Sequence, residues 1–301
     1  MVTENFRGAI LMVVSMVLFA FEDMFIKLLA DELPFAEVLG IIGLLGFLAF
    51  GTMLKLKGGR FLTRDLAAPL VVFRSLAEAI GSVGIVVALA LTELSSTSAI
   101  MQALPLAIVL GAALFLDEPV GWRRVSAIVV GFVGVLLVIR PGMAGFQPVS
   151  LMAVVAVIGL AARDLATRRI PARIHSDQLA ALAFLAILIA SVLMGWVLGQ
   201  EFVMPSARQS LLFLACMTVG VGGYALLVTA TRLGEASALA PYRYVRLVFA
   251  LVLAWLVFDE HPDALTMLGA GVIVASGCYM MWRETVLRRR PSKGAGLAPA
   301  E

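Results

Sequence analysis

The chain has 301 residues, of which 61% are hydrophobic and 14% are charged, with a mean hydropathy of +1.02 and a formal net charge of +3. Ordinary soluble domains are about half apolar and a quarter charged, so this composition excludes them and predicts a membrane protein. Because one transmembrane helix takes about 20 apolar residues, the chain has room for about ten spans and no sizeable soluble domain.

Apolar runs separated by charged or Gly/Pro-containing turns predict ten transmembrane helices. In chain order they cover 8–29, 35–54, 69–91, 96–116, 122–140, 148–168, 178–198, 208–230, 236–258 and 264–283. The first run has the length of a full span and no cleavage site follows it, so we interpret it as a helix and not as a signal peptide. Residues 288–301 are basic and then small and polar, which predicts a disordered tail.

The distribution of lysine and arginine predicts the orientation of these helices. With the N-terminus inside, sixteen basic residues lie at inside ends, and three, Lys27, Arg140 and Arg208, lie at outside ends. Cytoplasmic flanks of membrane proteins are enriched in Lys and Arg. We therefore expect both termini to be cytoplasmic.

Cysteine and histidine give no sign of enzymatic or metal chemistry. Cys216 and Cys278 lie in apolar runs without redox or metal-ligand spacing, and the two histidines, His175 and His261, stand apart in polar connections. We predict no cofactor, no metal site and no enzymatic activity. An ion channel is also disfavoured, because we find no selectivity-filter signature.

The two halves of the chain share polar residues at a constant spacing. Shifts of 142 and 141 residues align Glu93 with Glu235, Ser95 with Ser237, Asp117 with Asp259, Glu118 with Glu260, Asp23 with Asp164, and Lys27 with Arg168. Each half has five predicted helices, an odd number, so the second half enters the membrane from the opposite side. Inverted repeats are the architecture of secondary transporters, which bind their substrate near the membrane midplane.

These features resemble the EamA type of the drug/metabolite transporter superfamily. The resemblance rests on the two five-helix halves, the acidic pairs in "DEP" and "DEHP" that close the fourth and ninth helices, and the segment "GWRRVSAIVVGFVGVLLVIRPG". It covers nearly the whole chain and implies repeats at 1–146 and 147–287. It also implies a multi-pass carrier of the bacterial inner membrane that moves amino acids, amines or related metabolites, usually outward. The second copy departs from the pattern, because His261 precedes its proline and no basic pair follows.

Polar side chains inside the spans are the candidates for transport, since an ionisable group there costs about 2.5–3.5 kcal/mol. The residues predicted to bind substrate are Phe19, Glu78, Gln102, Tyr224, Tyr242 and Arg246. The residues predicted to form gates or ion pairs are Asp23, Lys27, Arg74, Asp164, Arg168 and Arg243. The i, i+4 spacing favours pairing of Asp23 with Lys27 and of Asp164 with Arg168.

The leading hypothesis is a carrier that exports amino acids, including aromatic or other apolar ones. Arg246 would bind the carboxylate, Glu78 or Asp23 the ammonium group, and the two tyrosines the side chain. A proton is the candidate coupling ion, carried by Glu78, because a buried acid can be protonated near neutral pH. Arg243 is expected to pair with Glu22, Asp164 or Glu78.

The alternative is uptake or exchange of a cationic metabolite such as S-adenosylmethionine, an amine or a drug cation. That alternative predicts that the acids matter and the arginines do not. In either case the expected partners are a small-molecule substrate and membrane lipid, without nucleic acid. The internal duplication makes a monomer sufficient.

Overall fold

The computed structural model describes residues 2–59, 63–116, 121–143, 146–171, 173–233 and 239–288. These residues are helical apart from short connections, and no strand occurs among them, which confirms the predicted all-α class. The α-helices are α1 Val2–Glu32, α2 Phe35–Leu56, α3 Pro69–Leu91, α4 Leu94–Met101, α5 Leu104–Phe115, α6 Trp122–Ile139, α7 Leu151–Arg169, α8 Ser176–Leu198, α9 Ala207–Leu233, α10 Val245–Phe258 and α11 Ala264–Arg288.

Eight helical segments within the described ranges are long and apolar enough to cross a membrane. They are α1, α2, α3, α4 together with α5, α6, α7 with the turn before it, α8 and α9. The Ala264–Met280 part of α11 is a shorter apolar helix within the predicted tenth span, and α10 covers only the later part of the predicted ninth span, 236–258. The chain is therefore a multi-pass membrane protein.

The predicted helix at 96–116 is broken in the middle. Its first part, α4, ends at Met101 and its second part, α5, begins at Leu104. Pro105 causes the break because it has no backbone N–H and its ring clashes with the preceding turn. The backbone N–H of Gln102 bonds three residues back, and its side-chain amide donates to the Ser98 carbonyl at 3.5 Å. Gln102 thus satisfies a carbonyl that the break leaves without its helical partner.

The predicted helix at 236–258 is also not one continuous α-helix. A 3₁₀ turn, Ala240–Tyr244, containing Pro241, precedes α10. A shift of 142 residues aligns Gln102 with Tyr244, so the two breaks occur at matching positions of the two halves. Tyr244 is buried, and its hydroxyl packs against Gly277.

Close pairs of helices build the bundle. α1 packs on α9, α2 on α8, α3 on α7, and α6 on α11, with further contacts of α1 with α10, α4 and α5 with α7, and α4 with α10. Glycines allow the closest approaches: a Cβ atom at Gly84 or Gly134 would lie 2.7 or 2.8 Å from a backbone oxygen of the neighbouring helix. Such small-residue interfaces are how helices associate in lipid.

Some predicted features lie outside the described residues. They are the acidic pair Asp117 and Glu118, the residues Glu235 and Ser237, and the tail beyond Arg288. Arg288 itself ends α11, so helix continues to the first residue of the segment predicted to be disordered.

Candidate functional site

A cavity of about 140 Å³ lies among α1, α2, α3, α7, α8 and α9. Its polar and aromatic lining includes Phe19, Glu22, Arg74, Glu78, Arg163 and Tyr224. Of the residues predicted to bind substrate, Phe19, Glu78 and Tyr224 line this cavity, whereas Gln102, Tyr242 and Arg246 are not among its lining residues. Tyr242 is 41% exposed.

One wall of the cavity is aromatic. Phe50 stacks on Phe184 at a ring distance of 5.5 Å and meets Tyr224 edge to face at 5.7 Å. Phe19 lines the cavity as well. Aromatic faces bind apolar groups and attract cations, so this wall suits an apolar solute with a positive charge.

Glu78 is held by two arginines. Its carboxylate lies 3.1 Å from Arg74, one turn earlier in α3, and 2.7 Å from Arg163 of α7. The Nε atom of Arg163 lies 2.7 Å from Asp164. Two positive and two negative groups therefore balance one another in this cluster. Sequence spacing favoured Arg168 as the partner of Asp164, but Arg163 is the neighbour that the structure brings to it.

Glu22 is different, because its carboxylate forms no hydrogen bond or ion pair with any described residue. It lines the cavity beside apolar side chains such as Met217 and Val221. Its carboxylate packs against Gly220 of α9, where an added Cβ atom would lie 2.5 Å from Oε1. The sequence analysis did not place Glu22 among the substrate residues, although two consecutive acids in one span could have drawn attention to it.

Asp23 and Arg246 form a bidentate ion pair that joins α1 to α10. The Arg246 Nε and Nη2 atoms donate to the Asp23 carboxylate at 2.9 and 2.7 Å. The Asp23 side chain is 5% exposed, and the guanidinium lies 5.4 Å from the centre of the Phe19 ring. The predicted pairing of Asp23 with Lys27 is replaced by this one, because a planar guanidinium can engage both carboxylate oxygens.

Lys27 instead acts at the end of the bundle that carries the α1–α2 turn, here called the α1–α2 end. Its ammonium group donates to two backbone carbonyls at the end of α3, at 3.2 and 2.7 Å, and lies 3.8 Å from Glu260. Glu260 accepts the backbone N–H groups of Leu94 and Ser95 at the start of α4, at 2.8 and 3.0 Å.

We call Lys27 and Glu260, together with the α3–α4 turn that they hold, the clamp. Each charge lies at the helix end whose dipole it complements: the cation at the C-terminus of α3, and the anion at the N-terminus of α4. The clamp ties α1, the α3–α4 turn and the segment that follows α10 together, so opening this end requires separating them.

Arg243 has a less complete set of partners than Arg246. It interacts electrostatically with Asp164 and Arg163, and it forms no hydrogen bond with any described residue. Of the three partners that the sequence offered it, Asp164 is therefore the one nearby. Arg168 lies in the last turn of α7.

The opposite end, which carries the α2–α3 connection, is also crossed by polar contacts. Lys57 lies 2.6 Å from Asp177, and Arg173 lies 2.9 Å from Asp65. The hydrogen bond from Arg173 holds the pKa of Asp65 below its ordinary value. Both ends of the bundle are thus bridged around the cavity.

Comparison with known proteins identifies the family. The model of the EamA-like transporter family matches residues 6–140 and again residues 147–282. The chain belongs to the EamA-like transporter family. An EamA-like transporter is not an enzyme, so the predicted lack of catalytic activity is confirmed.

The relatives of this EamA-like transporter carry different substrates. It is 26% identical to an S-adenosylmethionine uptake transporter of Rickettsia felis over 196 residues, which cover 65% of this chain and 66% of that protein, just under two thirds. It is 26% identical to the pseudopaline exporter CntI of Pseudomonas aeruginosa over 278 residues, covering 92% and 96%. A riboflavin transporter of Rhizobium johnstonii is 27% identical over 220 residues, covering 73% and 72%.

A solved structure supports the fold alone. A structure titled "Crystal structure of protein" superimposes with a TM-score of 0.58 at 17% sequence identity, covering 93% of this chain and 98% of that one. The named relatives include both uptake and export proteins. The family is therefore shown, while the activity of this chain, its substrate and the direction of transport are matters for proposal.

The small size of Gly220 gives a test of the position of Glu22. Gly220→Ala is expected to displace the Glu22 carboxylate and to raise the apparent KM for the solute about tenfold, the effect of losing roughly 1.4 kcal/mol. Gly222→Ala is the matched control, because its Cβ atom would meet only Leu18, at 3.7 Å. Both changes add the same helix propensity. Equal KM values for the two variants in a liposome flux assay would contradict the placement of Glu22.

Neutralising the clamp is expected to open the α1–α2 end. Glu260→Gln removes the charge that faces Lys27 and the α4 N-terminus, and a loss of about 1.4 kcal/mol would increase opening about tenfold. The readout is the maleimide labelling rate of Met217→Cys in the cavity, with both native cysteines replaced. Glu32→Gln is the control, because Glu32 pairs with Arg208 at the same end but on an exposed surface. An unchanged labelling rate for Glu260→Gln would show that the clamp is not a gate.

Proposed function

We propose that this transporter is a secondary active carrier for amino-acid-like zwitterions, with the ammonium group of the solute bound by Glu22. The observation that carries the proposal is the unpaired carboxylate of Glu22 in the central cavity. A buried carboxylate without a direct ion-pair or hydrogen-bond partner is costly, so this carboxylate calls for a positive partner. The aromatic wall formed by Phe19, Phe50, Phe184 and Tyr224 suits an apolar or aromatic side chain.

Charge balance separates Glu22 from the other acids near the cavity. Glu78 and Asp164 are matched by Arg74 and Arg163, and Asp23 is matched by Arg246. A solute that bound Glu78 or Arg246 would have to break an existing ion pair. Glu22 requires no such exchange, which is why we favour it over the residues that the sequence favoured.

Arg243 supports a zwitterion over a simple cation. Its guanidinium is partly buried and hydrogen-bonds to no described residue, so it has donors available for a carboxylate. It lies within electrostatic range of Arg163, which lines the cavity. Arg243 therefore takes over the carboxylate-binding role that the sequence analysis gave to Arg246.

We also propose that ten helices form two inverted repeats, with residues 1–146 and 147–287 as the halves. In such a repeat α1 corresponds to α7, α9 to α3, and α10 to α4 with α5. The contact of α1 with α9 then corresponds to that of α7 with α3, and the contact of α1 with α10 to those of α7 with α4 and α5. All of these contacts occur. The matching breaks at Gln102 and Tyr244 support the same symmetry, since discontinuous helices form the substrate site in such carriers.

In this proposal both termini are cytoplasmic and the membrane is the bacterial inner membrane. Single cysteines at Lys55 and at Glu201 test the orientation, because both residues are exposed and they lie at opposite ends of the bundle. An impermeant maleimide added to intact spheroplasts is expected to label Glu201→Cys and not Lys55→Cys. The reverse pattern would overturn the orientation.

A proton is the proposed coupling ion, and Glu22 is its carrier. Glu78 was the candidate from sequence, but two arginines already neutralise it. A proton and an ammonium group can both neutralise Glu22, so their binding there is mutually exclusive. Glu22 then releases a proton and binds solute on one side, and it releases solute and binds a proton on the other side. This cycle couples the two fluxes in opposite directions, with export as the proposed direction and a monomer as the unit.

Counterflow in proteoliposomes tests the function. Each set of vesicles is loaded with one unlabelled solute, L-phenylalanine, L-lysine, choline or S-adenosylmethionine, and the uptake of the same labelled solute is measured. Accumulation of the two labelled amino acids is expected. Accumulation of the amino acids with none of choline supports the zwitterion proposal. Flux of choline and S-adenosylmethionine alone, unaffected by Arg243→Gln, would favour the cationic-metabolite alternative. The solute flux is then measured in inside-out vesicles under a pH gradient, once with the outside acidic and once with the inside acidic. Comparison of the two fluxes shows whether protons drive transport and in which direction.

A further inference from the structure

A second cavity, of about 280 Å³, lies at the α1–α2 end beside the clamp. It is bounded by the α3–α4 turn, the end of α6 and the start of α11. Its lining includes Thr92, Glu93, Arg140, Gln147, His261 and Asp263, and it shares no lining residue with the central cavity. We refer to it as the outer cavity.

Arg140 supplies a fixed positive group to the outer cavity. It ends α6 in the left-handed conformation, with φ of 55°, which is uncommon for a residue other than glycine. Its Nη2 atom donates to Asp263 and, at 2.9 Å, to Thr266. The hydrogen bond from Arg140 lowers the pKa of Asp263 to about 2, so this pair stays charged at physiological pH.

The Arg140 guanidinium has donors to spare. Nε is buried and has no hydrogen-bond partner in the described part of the chain, and the hydrogen bonds that the side chain makes to Asp263 and Thr266 both use Nη2. A buried donor without an acceptor is destabilising, because it has lost its hydrogen bonds to water. Guanidinium geometry fits a carboxylate or a phosphate, so an anionic group in the cavity would use these donors.

Glu93 supplies a negative group to the same cavity. Its Oε2 atom accepts hydrogen bonds from Ser95 and Ser96 at 3.4 and 3.3 Å, both long for hydroxyl donors. Its Oε1 atom bonds to none of the residues in the described ranges. The outer cavity therefore presents guanidinium donors and a carboxylate acceptor, one set for each end of a zwitterion.

We propose that the outer cavity is a second binding site for a small zwitterion, with the carboxylate or phosphate on Arg140 and the ammonium group on Glu93. The identification of the ligand as the transported solute rests on the proposed function, whereas the existence of the site does not depend on it. The Thr92 carbonyl accepts the Lys27 ammonium group, and Leu94 is held by Glu260. A ligand on Glu93 thus lies on the turn that the clamp holds.

Binding stoichiometry tests the outer site. The full-length protein in phosphatidylcholine nanodiscs is titrated with radiolabelled L-phenylalanine, L-lysine and S-adenosylmethionine. Wild type is expected to bind two equivalents of at least one probe, with Glu22→Gln and Glu93→Gln each retaining one. Arg140→Lys keeps the charge but lacks the guanidinium fork, and should weaken the outer site about tenfold or more. Glu201→Gln, an exposed acid at the same end that does not line the cavity, is the control for Glu93→Gln.

The outcomes separate the two proposals. If Glu22→Gln loses all binding and Glu93→Gln loses none of it, the outer site is overturned and the central one remains. Loss in Glu93→Gln alone supports the outer site and removes Glu22 from solute binding. No binding to wild type overturns both. If phosphatidylethanolamine in the nanodisc abolishes only the Glu93-dependent equivalent, the zwitterion at the outer site is a lipid headgroup.

Discussion

Replacing Glu22 by Gln is expected to lower the rate of solute counterflow about 100-fold. The amide keeps the size of the side chain but loses the charge that attracts the ammonium group and the proton. A hydrogen bond to a charged group is worth up to about 3 kcal/mol, which corresponds to roughly two decades in affinity or rate. The measurement is the initial rate of counterflow in proteoliposomes, normalised to the amount of folded carrier.

Two further variants make the Glu22 result specific. Glu22→Asp keeps the charge but shortens the reach, so we expect partial activity and a shifted pH profile. Glu201→Gln removes an acid from an exposed connection and should leave the rate unchanged. If Glu22→Gln retained half of the wild-type rate for every transported solute, neither the ammonium site nor the proton site would lie at Glu22.

Removing Arg246 is expected to destabilise the protein by about 3–5 kcal/mol, as is usual when one partner of a buried ion pair is lost. Arg246→Ala leaves the Asp23 carboxylate without a bidentate donor, in a position where it is only 5% exposed. The free energy of unfolding in mixed detergent–SDS micelles measures the loss. The double variant Asp23→Asn/Arg246→Gln removes both charges together and should recover most of the stability.

An exposed pair provides the matched comparison for Arg246. Arg208 binds Glu32 with its own side chain 69% exposed, so Arg208→Ala should cost only about 0–1 kcal/mol. Equal losses for Arg208→Ala and Arg246→Ala would show that the Asp23–Arg246 pair is not structural. If the stable double variant also fails to transport, the substrate role first predicted for Arg246 regains support.

The elements of the fold were predictable because lipid imposes strict rules on them. Each span must satisfy its backbone internally and be apolar over about 20 residues, so hydropathy alone finds most of the helices. The breaks at Gln102 and Tyr244 were missed. Pro105 and Pro241 were visible in the sequence, but a proline alone does not distinguish a kink from an interruption, because neighbouring groups decide how the freed carbonyls are satisfied.

The candidate site was only partly predictable. Phe19, Glu78 and Tyr224 were chosen from polar and aromatic faces, and they line the cavity. Spacing also placed Asp23 one turn from Lys27, a separation compatible with pairing. Competition among partners decides the outcome, however, and the better partner of Asp23 lies 223 residues away.

The sequence by itself determined that this is an α-helical membrane protein with two related halves and an excess of ionisable groups in its spans, because composition, periodicity and spacing are properties of the chain alone. The tertiary structure decided which of those groups neutralise each other. Ion pairs form between helices that lipid and small residues bring together, as in Arg246 with Asp23, Glu78 with Arg74 and Arg163, and Lys27 with Glu260. Glu22 is significant because no described neighbouring side chain pairs with its carboxylate. Only the tertiary structure shows this, because it places every one of those neighbours.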